Sequence, residues 1–189
     1  MRLFERALRR AGLPLAYSAG FNPRVQVSFP LALPLGYQSG EEVLETELVR
    51  WISPRRAEEL VREQLPEGIG VLRAVSVPFA DKASVTSTEF ALEFSEVPAD
   101  FAERLDSFME KKEAFVQRPT KSHTRNVDVR KFVIGACLED RTLRVELSVS
   151  PGGTARPTEV LSAVMGGEVE DLPQTRVRRT RIKLAAPPH

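Results

Sequence analysis

Over the first eleven residues, Leu3, Phe4, Ala7, Leu8 and Ala11 form one apolar stripe, with Arg2, Glu5, Arg6, Arg9 and Arg10 opposite it. That 3.6-residue period predicts an amphipathic helix. Gly12 and Pro14 supply its stop. The segment YSAGFNPR is dense in turn residues, and Val25, Val27 and Phe29 then alternate with polar positions as a strand does. A turn over Gly36–Gly40 precedes a second alternation at Leu44, Thr46 and Leu48. Ser53-Pro54 reads as an N-cap and first helical position, opening a helix with Ala57, Leu60, Val61 and Leu65 on its inner face. Gly68 and Gly70 end it, and VLRAVSV is expected as a third strand.

A similar order follows. Phe90, Leu92 and Phe94 alternate with Glu89, Ala91 and Glu93. Pro98 opens a helix that turns Phe101, Leu105, Phe108 and Met109 inward. A basic stretch from Arg118 leads to a strand read as DVRKFVIGACLE. A hairpin at Glu139–Arg141 then connects to Leu143, Val145, Leu147 and Val149, all on one face of the next strand. Pro157 opens a short helix through Met165, closed by Gly166-Gly167, and the last strand lies near VRRTRIKL. The second half therefore reads β-α-β-β-α-β, the split βαβ or ferredoxin-like order. The first half reads α-β-β-α-β, the same unit without its opening strand. The expected class is α+β with two tandem ferredoxin-like halves, residues 1–80 and 86–189, joined near Ala80–Ser87 where the periodicity breaks.

With 42% hydrophobic and 28% charged residues in 189, the chain can bury a core, and disorder throughout is excluded. No apolar stretch reaches the ~18 residues of a membrane span. Glu5, Arg6, Arg9 and Arg10 within the first ten residues do not suit a signal peptide. The single cysteine, Cys137, precludes an internal disulfide, and with only His123 and His189 beside it no ordinary zinc site is expected. A reducing cytoplasm is the expected setting.

The net charge of +1 conceals a segregation. Residues 1–39, 118–131 and 173–189 together hold 15 basic and 2 acidic residues, whereas the remainder holds 12 basic and 24 acidic. If the three segments meet, the molecule has one basic and one acidic face; otherwise they are three separate solvated patches. A basic face suits phosphate contacts, carried on this reading by Arg6, Arg9 and Arg10 of the first helix and Arg179 and Arg181 of the last strand.

The loop from Tyr17 to Arg24 combines Tyr17, Ser18, Phe21, Asn22 and Arg24. It can stack a base on either aromatic ring, hydrogen-bond an edge through Asn22 and hold phosphate with Arg24. The alternative makes Tyr17 and Phe21 core anchors and Asn22-Pro23 a turn. In RPTKSHTRNVDVRK, the cations Lys121, Arg125 and Arg130 suit phosphate contacts rather than base readout, since no aromatic lies between Phe115 and Phe132. The alternative there is a soluble hairpin arm. Asp128 can orient Arg125 and Arg130 by bidentate pairing, or serve as a catalytic carboxylate. His123 can act as a general acid or base, or be an incidental surface histidine. Gly152-Gly153-Thr154 can present backbone amides to an anion, although the following helix needs a turn there in any case. No G-x-G-x-x-G, no P-loop and no C-x3-C-x2-C run is present. No cofactor, metal or catalytic residue is therefore assigned.

Three runs carry a family likeness. They are FERALRRAGLPLAYSAGFNP with Ala16, Tyr17, Ser18, Gly20, Phe21, Asn22 and Pro23; Val127, Asp128 and Arg130; and Gly153, Arg156, Pro157, Glu159, Val160 and Leu161. In these the chain resembles the radical-SAM-associated proteins, a family built on a domain of unknown function. The resemblance implies a radical SAM enzyme as partner. It also implies a strand and a short S-H-L-D segment ahead of the first helix, whereas this chain opens inside that helix. A late start codon, a strand lent by a second copy or a partner, or a rearranged first half with Leu13–Tyr17 drawn into the vacancy would each account for the difference. The resulting expectation is a non-catalytic accessory protein that binds RNA or a ribonucleoprotein and presents substrate to a radical SAM enzyme. The alternatives are an RNA-processing or RNA-modifying enzyme, and an adaptor that pairs through an open sheet edge.

Overall fold

A computed structural model of the chain describes residues 2–120, 123–167 and 175–185. In chain order its elements are α1 (Arg2–Arg10), β1 (Val27–Ser28), β2 (Gln38–Ser39), β3 (Glu45–Thr46), α2 (Pro54–Arg62), β4 (Val85–Phe94), α3 (Phe101–Glu110), β5 (Phe115–Pro119), β6 (Thr124–Asp128), a 3-10 turn (Arg130–Phe132), β7 (Val133–Glu139), β8 (Thr142–Ser148), α4 (Pro157–Met165) and β9 (Thr175–Leu184). The chain is α+β. Two compact units result, one from residues 1–31 and 43–83 and the other from 32–42 and 84–185. The stretch 32–42, expected within the first half, thus belongs to the second unit. No helix among the described residues is long and apolar enough to cross a membrane.

In the second unit a five-stranded sheet runs β2-β9-β4-β8-β7. β4 is antiparallel to both β8 and β9, and β7 is antiparallel to β8. β4 and β7 therefore run parallel with β8 between them, and β8 and β9 run parallel with β4 between them. That is the split βαβ order expected of this half. Phe90, Leu92 and Phe94 of β4 and Leu143, Val145 and Leu147 of β8 are buried, as their alternation predicts, against Phe101, Leu105 and Phe108 of α3 and Val160, Leu161 and Val164 of α4. Gly166 ends α4 with φ +73°, the left-handed C-cap that glycine adopts at little cost. Two features differ from expectation. The basic stretch folds back as the antiparallel hairpin β5–β6, so the following strand starts at Val133 rather than Asp128. And β2, inside the expected Gly36–Gly40 turn, pairs parallel with β9 through Gln38–Arg178 and Ser39–Arg179.

In the first unit, α1 and α2 form where the pattern placed them. The Ser53 Oγ accepts the Arg56 N–H at 3.3 Å, capping α2. The sheet is a remnant. β1 and β3 pair only through Val27–Thr46 and Ser28–Glu45. Leu13–Tyr17 is drawn alongside: the Ala16 N–H donates to Glu47 O, the Gln26 N–H donates to Ala16 O, and the Val49 N–H donates to Pro14 O. VLRAVSV, expected as a strand, forms no ladder. In the second unit the corresponding strand, β9, pairs with β4, and the first unit has no counterpart of β4 among its described residues. A segment with strand propensity but no neighbour cannot form one. The tandem repeat therefore does not extend to a second complete sheet. The core follows suit: among the described residues it comprises Ala7, Leu8, Ala11, Leu13, Leu15 and Val25, and Ala57, Leu60 and Val61 of α2 are only partly covered.

Candidate functional site

In the first unit, Tyr17 and Val25 form an antiparallel bridge at the neck of the 18–24 loop. The Ser18 N–H donates to Arg24 O at 2.8 Å and the Arg24 N–H donates to Ser18 Oγ at 3.0 Å, pinning both ends. Gly20, at φ +116°, makes the turn between them. Phe21 at the tip is fully exposed, Tyr17 is 48% exposed, and Asn22 and Arg24 face solvent. Neither aromatic is a core anchor. The Arg9 guanidinium stands 5.7 Å from the Tyr17 ring centroid, a cation–π contact that ties the basic helix to the loop. Arg6 and Arg9 are exposed, whereas the Arg10 guanidinium donates to Gln64 O at 2.7 Å and to its Oε1 at 3.3 Å.

In the second unit the candidates divide. Arg125 and Arg181 are exposed. Arg130 is not available: its Nη1 donates to Val133 O and its Nη2 to Met109 O, both at 3.0 Å, and its guanidinium lies 6.0 Å from the Phe108 ring centroid. Asp128 pairs with neither arginine. Its Oδ1 accepts the N–H groups of Ala114 and Arg130, so it acts as a cap for the chain around the hairpin. Arg179, expected to face a ligand, is 2% exposed, and its Nη1 donates to both Glu42 oxygens at 2.9 Å. Such a pair fastens the 32–42 stretch to the sheet and presents no charge to a partner. His123 sits in the hairpin turn, where its carbonyl accepts from Thr120. Lys121 lies outside the described residues.

Several residues join the site that the sequence did not single out. Arg176 and Arg178 share the exposed face of β9 with Arg181, because Val177, Arg179 and Ile182 turn inward. On that same face Lys183 Nζ bridges the carboxylates of Glu89 and Glu146, each at 2.9 Å. The hydrogen bond from Lys183, and then that from Ser87, holds Glu146 below the ordinary carboxylate range, and the same bond raises Lys183. Beside the hairpin, Phe115, Arg118, Arg125, Asn126, Asp128, Lys131, Gly152 and Thr154 line a cavity of about 140 Å³. Among the described residues no group of three His, Cys, Asp or Glu side chains is placed to hold a metal ion.

The second unit is thus a split βαβ sheet with exposed arginines on β9, and the first unit carries an exposed aromatic loop. Residues 1–157 match the family described as uncharacterized proteins conserved in bacteria, DUF2344, and the chain belongs to that family. No curated protein and no solved structure matches it.

Proposed function

We propose that the chain is a non-catalytic accessory protein that binds RNA or a ribonucleoprotein. The observation that carries this reading is the loop of Tyr17, Phe21, Asn22 and Arg24, held open to solvent by its own hydrogen bonds beside Arg9. An apolar ring as exposed as Phe21 has no folding role to explain it, and a base offers it a stacking partner. In the second unit, taken by itself, the exposed Arg125, Arg176, Arg178 and Arg181 suit phosphate contacts. A radical SAM enzyme is the partner the family resemblance suggests for substrate presentation. Fluorescence anisotropy with a labelled single-stranded RNA tests the core of the reading. Log affinity should fall with log salt by ~0.7 per phosphate contact. Phe21→Ala should cost ~1–3 kcal/mol of binding with no change in melting temperature. A flat salt titration would remove the electrostatic argument.

A second reading, docking through added β-structure, is favoured by one observation. Residues 71–77 form no ladder, and Leu72, Val75, Val77 and Phe79 are exposed. A second copy of this chain is the proposed filler, pairing its own 71–77 segment antiparallel to this one. Light scattering should then find a dimer that Val75→Lys dissociates, and a monomer at all concentrations would remove this reading.

A further inference from the structure

The cavity beside the β5–β6 hairpin is walled by three elements: the hairpin itself, the 130–132 turn and the 150–154 turn. Across the hairpin Arg118 and Arg125 are directly paired in register, an arrangement of like charges that is unfavourable unless one is neutralised. Glu159 does this. It is 4% exposed, and it accepts from Arg118 Nε and Nη2 at 2.6 Å each, which raises the Arg118 pKa. A third bond, from Arg118 Nη2 to Thr154 O at 3.0 Å, fixes the floor of the cavity to the glycine turn. The Arg125 side chain, by contrast, makes no hydrogen bond or ion pair with another described residue. Lys131 Nζ lies 5.0 Å from the Phe132 ring centroid and has no carboxylate partner among the described residues. With Arg118 neutralised by Glu159, the lining leaves two cations, Arg125 and Lys131, beside one carboxylate, Asp128, whose Oδ1 is engaged by two backbone N–H groups. Asn126 adds an amide, and Phe115 stands exposed at the rim.

We propose that this cavity is a subsite for the terminal phosphate of a nucleotide chain, with Arg125 and Lys131 as its charge partners and Phe115 as the stacking surface for the adjoining base. The proposal rests on the RNA-binding reading and narrows it to one chain end. A cavity of about 140 Å³ is well below the ~300–1,000 Å³ of sites that enclose whole ligands. It admits a group rather than a nucleotide. A cavity of this size suits the terminal group of a monoester, which enters end-on, over a diester, whose chain must continue past the phosphate on both sides. Arginine and lysine together match a group with several acceptor oxygens and a second ionisation near pH ~6.

The test uses the full chain and two kinds of probe. In amide NMR, inorganic phosphate should produce saturable shifts at Asn126, Gly152 and Thr154, tightening between pH 5 and 7.5 as the second proton leaves. Arg125→Ala should weaken this binding at least tenfold. Absence of saturable shifts there overturns the subsite whatever RNA does. In anisotropy, a 5′- or 3′-phosphorylated RNA decamer should bind at least fivefold more tightly than its hydroxyl-ended counterpart, and Arg125→Ala should erase that difference. Equal, salt-dependent binding of both decamers overturns the subsite and leaves RNA binding standing. Phosphate binding in the cavity with no RNA binding to the chain overturns the RNA reading instead. Phe115→Ala, at an exposed rim position, should reduce the decamer's preference without affecting inorganic phosphate. Loss of both responses would mean that Phe115 shapes the cavity rather than stacking on a base.

Discussion

Arg179 and Arg181 show how two neighbouring residues of one type acquire opposite roles. Strict alternation places residues two apart on the same face, so the sequence groups both as surface cations. β9 instead carries one extra residue: Glu89 pairs with Arg181 but Phe90 pairs with Arg179, leaving Thr180 bulged. That irregularity sends Arg179 inward to Glu42 and leaves Arg181 outside. Nothing local in TRVRRTRIKL marks the bulge; it is set by the register against β4. By contrast, the exposure of Tyr17 and Phe21 was legible as one of two alternatives, because a Gly/Pro-shaped loop that hydrogen-bonds to itself need not bury its rings. A prediction follows for the buried pair. Glu42→Gln takes the carboxylate from a buried guanidinium and should cost about 3 kcal/mol, the lower part of the ~3–5 range because Glu42 is partly exposed. Arg179→Met combined with Glu42→Leu should recover most of that loss in urea unfolding, since neither charge then remains to be desolvated. A single variant as stable as the parent would show that the pair contributes nothing.

Among the elements, α1, α2, α3, α4, β4 and β8 were legible because each couples a clear period to a stop or cap at its end. β2 was not: two residues, Gln38 and Ser39, become a strand only because β9 offers an edge. VLRAVSV fails for the converse reason, having the right residues and no neighbour. The sheet face opposite the helices also carries a device that alternation alone does not reveal. Glu89 and Glu146 are direct cross-strand partners, and Lys183 between them turns a repulsive pair into a bridge. The folded Glu146 holds its proton only at a lower pH than the unfolded chain does. Its contribution to stability is thus present above the ordinary carboxylate range, ~4.3, and is lost as pH falls through the depressed folded value. Glu146→Gln should accordingly reduce stability at pH 7 more than at pH 3, flattening the acid limb of a thermal-melting profile. A parallel displacement of the whole profile would show that the effect is packing rather than proton linkage.

At the scale of the whole molecule the two units differ in how much holds them together. The second has a continuous core that runs from Phe90 to Val177, whereas the first has six buried apolar side chains among its described residues and a sheet of two residue pairs. Burial contributes roughly 25 cal/mol per Å² of apolar surface, and conformational entropy costs ~1–2 kcal/mol per ordered residue in both units alike, so the smaller core leaves the first with less surplus. The candidate RNA loop sits in that weaker unit, where a site that must adapt to a ligand is most readily accommodated. Native-state hydrogen exchange should therefore show α1 and α2 opening at lower free energy than β4, β8 and β9, with exchange in the first unit insensitive to core substitutions in the second. Leu92→Ala, at a fully buried position, should lower protection of β4, β8 and β9 by the ~2–5 kcal/mol typical of such truncations. Leu8→Ala should do so only in the first unit. If RNA binds as proposed, saturating ligand should raise protection of α1 and of the backbone around Tyr17 and Val25 first, because binding stabilises whatever must be folded to bind. Equal protection of both units in the free chain would mean that they unfold as one, and the division of stability argued from their cores would fall.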